Sequence, residues 1–215
     1  MLSKLAVALL ITTSPAWSEP VTIAALGDSL TAGYGLPQGD GFVPQMQAWL
    51  EGQGADVSLI NAGVSGDTTA GGLSRVAWTL SPDVDAMIVN LGGNDFLRGI
   101  DPAVTRSNLE QILAQGQAAE VEMLLIGLSV GANYGADYRD QFAAMYADLA
   151  ADYGILFYPD YAAALRAAAA SQSEMADYLQ PDGIHPNAAG VKMIVEDLGP
   201  LVLELATQAA QPPSQ

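Results

Sequence analysis

Val21-Thr22-Ile23-Ala24-Ala25-Leu26 runs without a break into Gly27-Asp28-Ser29-Leu30. The first part is short, uncharged and rich in β-branched and aliphatic side chains, the pattern of a strand buried on both faces. The switch to glycine, aspartate and serine ends that strand and opens a loop. A strand apolar on both faces needs cover on both sides, so this stretch predicts a sheet held between two layers of helices.

The chain on either side repeats the alternation. Further strands are expected over residues 57–60 (VSLI), 86–91 (AMIVNL), 121–127 (VEMLLIG) and 155–158 (ILFY). Between them lie helical patterns. Residues 42–52 place Phe42, Met46, Trp49 and Leu50 at spacings of three and four. Helices are also predicted over residues 73–80, ending near Ser81-Pro82, and over 104–117, 138–153 and 161–170. Asn187 is placed to cap a last helix, which Gly199-Pro200 should interrupt or kink. Strands alternating with helices imply right-handed crossovers and a parallel sheet, hence a three-layer α/β/α sandwich. Ligands in such folds bind beyond the carboxyl ends of the strands. That rule directs attention to the loops after Leu26, Ile60, Leu91, Gly127 and Tyr158.

The 215 residues suit one domain, and 50% apolar residues exclude a disordered chain. Lys and Arg number 7 against 24 Asp and Glu, a net charge of −17, which repels nucleic-acid backbones and argues against a nucleic-acid partner. Lys4, the short apolar run of residues 5–11 and the small residues around Ala16-Trp17-Ser18 read as a signal peptide over residues 1–18. The run is too short to span a bilayer. A periplasmic or secreted chain is therefore expected, with no stable membrane insertion after cleavage. The folded domain is expected over residues 19–208, followed by a flexible tail over 209–215. The chain lacks cysteine, which excludes disulfides, a thiol nucleophile and cysteine-ligated zinc. It has a single histidine, His185. No heptad seam or charged stripe is evident, so a monomer is expected.

The chemistry gathers at the loops. Ser29 follows the first strand directly, where a hydroxyl can project from the rim of the sheet, although serines there also serve as helix caps. The second strand leads into Asn61-Ala62-Gly63-Val64-Ser65-Gly66-Asp67-Thr68, the third into Gly92-Gly93-Asn94-Asp95. Glycine and asparagine are ordinary turn residues, but they also supply backbone N–H groups and a side-chain amide to a developing oxyanion. Asp182-Gly183-Ile184-His185-Pro186 sets an aspartate three residues before the histidine. A turn there could bond the carboxylate to one ring nitrogen and free the other to take the serine proton. Together these are the nucleophile, base, orienting acid and oxyanion donors of acyl transfer. Asp28, Asp67 and Asp95 could alternatively join Asp182 and His185 in a hard-cation site, or simply brace their loops.

The segments LGDSLTAGY (residues 26–34), NAGVSGDT (61–68), LGGND (91–95), ANYG (132–135) and DGIHPN (182–187) resemble the SGNH (GDSL-type) hydrolase family. They are most similar to its periplasmic thioesterase, lysophospholipase and arylesterase branch. The resemblance implies a flavodoxin-like parallel sheet of five strands in the order 2-1-3-4-5. It implies Ser29 as nucleophile, Asp182 and His185 as its partners, and Ser29, Gly66 and Asn94 as oxyanion donors. It places Asn133 and Tyr134 at the substrate, requires no cofactor or metal, and points to a small ester or thioester with an acyl or aryl group. Relatives commonly carry proline before the Asn-Tyr-Gly, where this chain has Leu128-Ser129-Val130-Gly131-Ala132. A carbohydrate acetyl esterase with the same triad, or a silent binding protein on the same fold, are the alternatives. Activity that depends on neutral His185 should rise through pH about 6 to 7.

Overall fold

The computed structural model describes residues 20–169 and 171–211. The strands β1 (Val21–Gly27), β2 (Val57–Gly63), β3 (Ala86–Asn90), β4 (Glu122–Ile126) and β5 (Leu156–Tyr158) form one sheet in the order β2-β1-β3-β4-β5. Every pairing is parallel. The helices are α1 (Ser29–Ala32), α2 (Phe42–Gly52), α3 (Thr69–Thr79), α4 (Gly93–Leu97), α5 (Pro102–Ala118), α6 (Ala136–Tyr153), α7 (Ala163–Ala168), α8 (Gln172–Ala176) and α9 (Ala188–Ala209). This is the flavodoxin-like α/β sandwich expected from the alternation and the motifs.

Side chains alternate across each central strand, as the period of two requires. Ala86 and Ile88 of β3, with Leu124 and Ile126 of β4, face the layer built from α2 and α9. Met87 and Val89, with Met123 and Leu125, face α3, α5 and α6. Phe42, Met46 and Leu50 of α2 and Ile194, Leu198 and Val202 of α9 are fully buried in the first layer. Each such aliphatic or aromatic side chain contributes about 1.5–3 kcal/mol by leaving water. The two cores cover both faces of the sheet and leave its carboxyl-end loops to build a site.

Several boundaries differ from the expected ones. β2 extends to Gly63 because Asn61, Ala62 and Gly63 pair with Ala25, Leu26 and Gly27; at a sheet edge, polar residues tolerate strand geometry. α3 begins at Thr69, capped by the Thr68 hydroxyl at 3.4 Å from Gly71 N, before its apolar periodicity starts. α7 is shorter than the alanine-rich run suggested. α9 is one helix that continues through Pro200 rather than breaking. Gly199 lacks the Cβ that clashes with a following proline, and it lies flat against Trp49, where a Cβ would come within 2.8 Å of the ring. Asn187 caps α9 as expected, accepting from Gly190 N at 3.0 Å. The expected signal segment, residues 1–18, lies outside the described residues, as does the end of the expected tail beyond residue 211. Among the described residues, no helix is long and apolar enough to cross a membrane.

Candidate active site

Strand order reverses between β1 and β3, and the crevice at that point is where open α/β sheets bind ligands. The residues leaving β1, β2 and β3 meet there. Ser29, Gly66 and Asn94 all line one cavity of about 640 Å³, together with His185. Ser29 opens α1, so its N–H is in a first helical turn and has no acceptor within the helix. Gly66 has φ +88°, a conformation that side-chain-bearing residues rarely adopt.

His185 reaches the cavity on a turn, shared with Asp182, that follows α8 and precedes α9. This turn is not the exit of a strand, contrary to the expectation for all site loops. Its base is closed by an antiparallel bridge between Leu179 and Pro186 and by Gln180 N donating to His185 O at 2.7 Å. Gly183 at φ +69° turns the chain between them. Asp182 Oδ1 accepts from Ile184 N at 2.9 Å and His185 N at 3.0 Å, while Oδ2 lies 2.7 Å from His185 Nδ1. His185 Nε2 is 2.8 Å from Ser29 Oγ. The backbone N–H groups of His185 and Ile184, then the His185 ring, hold the Asp182 carboxyl down at about 2. An ionised carboxylate only accepts, so a neutral ring carries its proton on Nδ1 and offers Nε2 to the serine hydroxyl.

The remaining motif acids brace the loops. Asp28 is buried, accepts from Leu30 N at 3.0 Å, and receives Asn94 Nδ2 at 3.2 Å. Burial pushes its carboxyl up to about 6, against the pull of those two donors. Asp95, with no exposed surface, accepts from Thr69 N at 2.8 Å and Thr69 Oγ1 at 2.6 Å, tying α4 to α3. Asp67 pairs with Arg75 at 2.7 Å, and the same guanidinium reaches Ala62 O at 2.6 Å and Gly27 O at 2.8 Å. Arg75 thereby clamps the ends of β1 and β2 to the Gly66 loop.

Residues 25–193 match the GDSL-like Lipase/Acylhydrolase family. The chain belongs to this family. It is 34% identical over 199 residues to Esterase TesA of Pseudomonas aeruginosa, covering 92% of this chain and 94% of the relative. It is 32% identical over 192 residues to Thioesterase 1/protease 1/lysophospholipase L1 of Escherichia coli, covering 89% and 84%. Among solved structures, the SGNH-hydrolase family esterase AlinE4 matches with a TM-score of 0.70 and 40% identity, over 88% of this chain and 98% of that one. The chain is a carboxylic-ester hydrolase of the GDSL/SGNH type, the family that its motifs resemble.

In this GDSL hydrolase the cavity wall is largely apolar, with Leu30, Leu128, Val130, Leu165, Met175 and Leu179 among its lining residues. The proline-free segment is part of that wall through Leu128, Ser129, Val130 and Gly131. Asn133 and Tyr134, expected at the substrate, are not among the lining residues. Tyr134 instead packs edge-on against Phe96 at 5.8 Å, and its hydroxyl donates to Leu97 O at 3.4 Å. Two residues that the motif reading passed over shape the site. The Tyr34 ring lies 4.8 Å from the His185 ring. Gln180 Nε2 donates to Tyr34 O at 2.8 Å and to Pro186 O at 3.0 Å, stitching the serine loop to the histidine loop. Tyr34 stands within the quoted LGDSLTAGY stretch and Gln180 two residues before Asp182, so proximity to the motifs was the available signal.

Proposed function

We propose that Ser29 carries out ester and thioester hydrolysis through a two-step acyl-enzyme mechanism, with His185 as base and Asp182 as its orienting acid. The observation that carries this reading is the unbroken line from Asp182 Oδ2 to His185 Nδ1 at 2.7 Å and from His185 Nε2 to Ser29 Oγ at 2.8 Å. His185 takes the hydroxyl proton as Oγ attacks the carbonyl carbon. The negative charge that forms on the carbonyl oxygen is met by the N–H groups of Ser29 and Gly66 and by the Asn94 amide. The imidazolium, stabilised by Asp182, then protonates the departing alcohol or thiol. Water repeats the attack on the acyl-enzyme and releases the acid.

The apolar cavity favours acyl or aryl esters over glycan esters, and the relatives' names, esterase and thioesterase, extend the reading to thioesters. The signal-like residues 1–18 support action in the periplasm or outside the cell. The test is hydrolysis of p-nitrophenyl esters from acetate to long acyl chains by wild type and by Ser29→Ala. Wild-type turnover with a loss of about 10³-fold or more in the variant supports the assignment. Equal rates for the two proteins overturn it. Acyl-coenzyme A thioesters measured beside the esters decide the leaving-group range.

A further inference from the structure

Among the described lysines and arginines, only Arg166 lines the catalytic cavity. The others do not line it and have protein partners of their own, Arg98 at a carbonyl of the lining residue Gly66. Arg75 clamps Asp67, Ala62 and Gly27, and Arg98 donates to Gly66 O at 2.8 Å. Arg106 pairs with Asp148 and Asp152, Arg139 with Asp140, and Lys192 with Glu196. Arg166 belongs to α7, and Tyr161, Ala162 and Leu165 beside it form the same stretch of wall.

Its partner is Asp160, just past the end of β5. That carboxylate is 7% exposed and also accepts from Ser129 N at 3.3 Å and Ala162 N at 3.4 Å, so the backbone already holds it in place. The Arg166 side chain is 43% exposed. A guanidinium presents five donors in a planar fork, more than one carboxylate engages, and the fork matches a second oxyanion bidentately. A chain of net charge −17 repels anions at long range, which makes a cation in this mostly apolar wall a local exception.

The geometry points to Arg166 as an anion-recognising subsite. On this inference the cavity accepts esters whose own molecule carries a singly charged oxyanion, a carboxylate on the acyl part or a phosphodiester on the alcohol part. Arg166 holds that group while Ser29 attacks the ester carbonyl, so the inference rests on the assignment of Ser29 above. Arg166 is a specificity residue, acting mainly on KM, because the contact is made in the bound substrate as well as in the transition state.

Two matched substrate pairs test it. One pair is the p-nitrophenyl half-ester of a dicarboxylic acid against its neutral methyl diester. The other is a lysophosphatidylcholine against the monoacylglycerol with the same chain. The readout is the ratio of kcat/KM, charged over neutral, for wild type, Arg166→Gln and Arg166→Lys. The ratio does not depend on how much of each variant is folded. In Arg166→Gln the ratio is expected to fall about tenfold or more for one pair, chiefly through KM, with Arg166→Lys in between. The pair that responds identifies the acyl or the alcohol side. Ratios within about twofold of wild type for both pairs, the result of a merely superficial charge, overturn the inference. Turnover of the neutral partners by wild type, and its loss in Ser29→Ala, checks the site itself independently of Arg166.

Discussion

Asp28 and Asp182 stand at the two ends of the Ser29–His185 contact, and their surroundings push them in opposite directions. Asp182 lies on an exposed turn, where two backbone N–H groups and the imidazole favour its charge and hold it at about 2. Asp28 lies under the serine loop with 3% of its surface exposed, and loss of solvent raises it to about 6 although two donors favour its charge. The same side chain is thus a permanent anion in one place and a group that titrates near neutrality in the other. The difference follows from what each orients. On the proposed mechanism an imidazolium forms beside Asp182 during turnover and needs a full negative charge, whereas the Asn94 amide beside Asp28 needs an acceptor for one of its N–H groups.

The comparison breaks most readily at Asp182. Asp182→Asn should lower kcat by about 10²–10⁴-fold, because an amide can hold the wrong imidazole tautomer and cannot neutralise the imidazolium. Steady-state kinetics on a p-nitrophenyl ester would show it, and a loss below about fivefold would mean that the turn only shapes the loop. Asp95→Ala comes next, through the loss of a buried acceptor to both Thr69 N and Thr69 Oγ1. Chemical denaturation should record a destabilisation of about 2–4 kcal/mol.

Asp28→Asn sharpens the comparison because activity and stability should move apart. One of the two carboxylate oxygens becomes an NH2 donor, so Leu30 N and Asn94 Nδ2 no longer both find an acceptor, and kcat should fall about 10- to 10²-fold with KM little changed. Stability should improve at neutral pH. A carboxyl raised from 3.8 to about 6 makes the folded protein bind the proton first, so wild-type stability declines as pH rises from about 4 to 6 and stays reduced above that. The variant removes up to about 3 kcal/mol of this penalty, and its unfolding free energy should be flatter over that interval. Asp182 has the opposite sign and a smaller effect, since it is exposed. Its contribution is present above the ordinary carboxylate value and is lost as pH falls toward about 2. Asp182→Asn should therefore blunt the acid limb of the stability curve and leave the limb from pH 4 to 6 as in wild type.

What was legible in the sequence was local. The run from Val21 to Leu26 identified a strand buried on both faces, and Ser29, Gly66 and Asn94 each follow a strand within a short motif. The Asp182–His185 spacing was readable because one turn brings both side chains together. What stayed hidden depends on contacts between distant segments. Gln180 bonds to Tyr34 O across 146 residues and Arg75 to Gly27 O across 48, and neither pairing leaves a periodicity to read. The short helices α1, α4 and α8 are too brief to show an amphipathic period. Pro200 signals a break that packing along α9 overrides. Asn133 and Tyr134 sit beside the wall-forming loop in sequence, yet Tyr134 turns to an aromatic cluster with Phe96 and Tyr138.

The most direct test of the central claim is covalent labelling with a serine-reactive fluorophosphonate, followed by peptide mass spectrometry. The account predicts a single adduct on the peptide containing Ser29, slowed by about 10²-fold or more in His185→Ala, where the hydroxyl has lost its base. An adduct on another residue, or ester hydrolysis that continues in fully labelled protein, would contradict it.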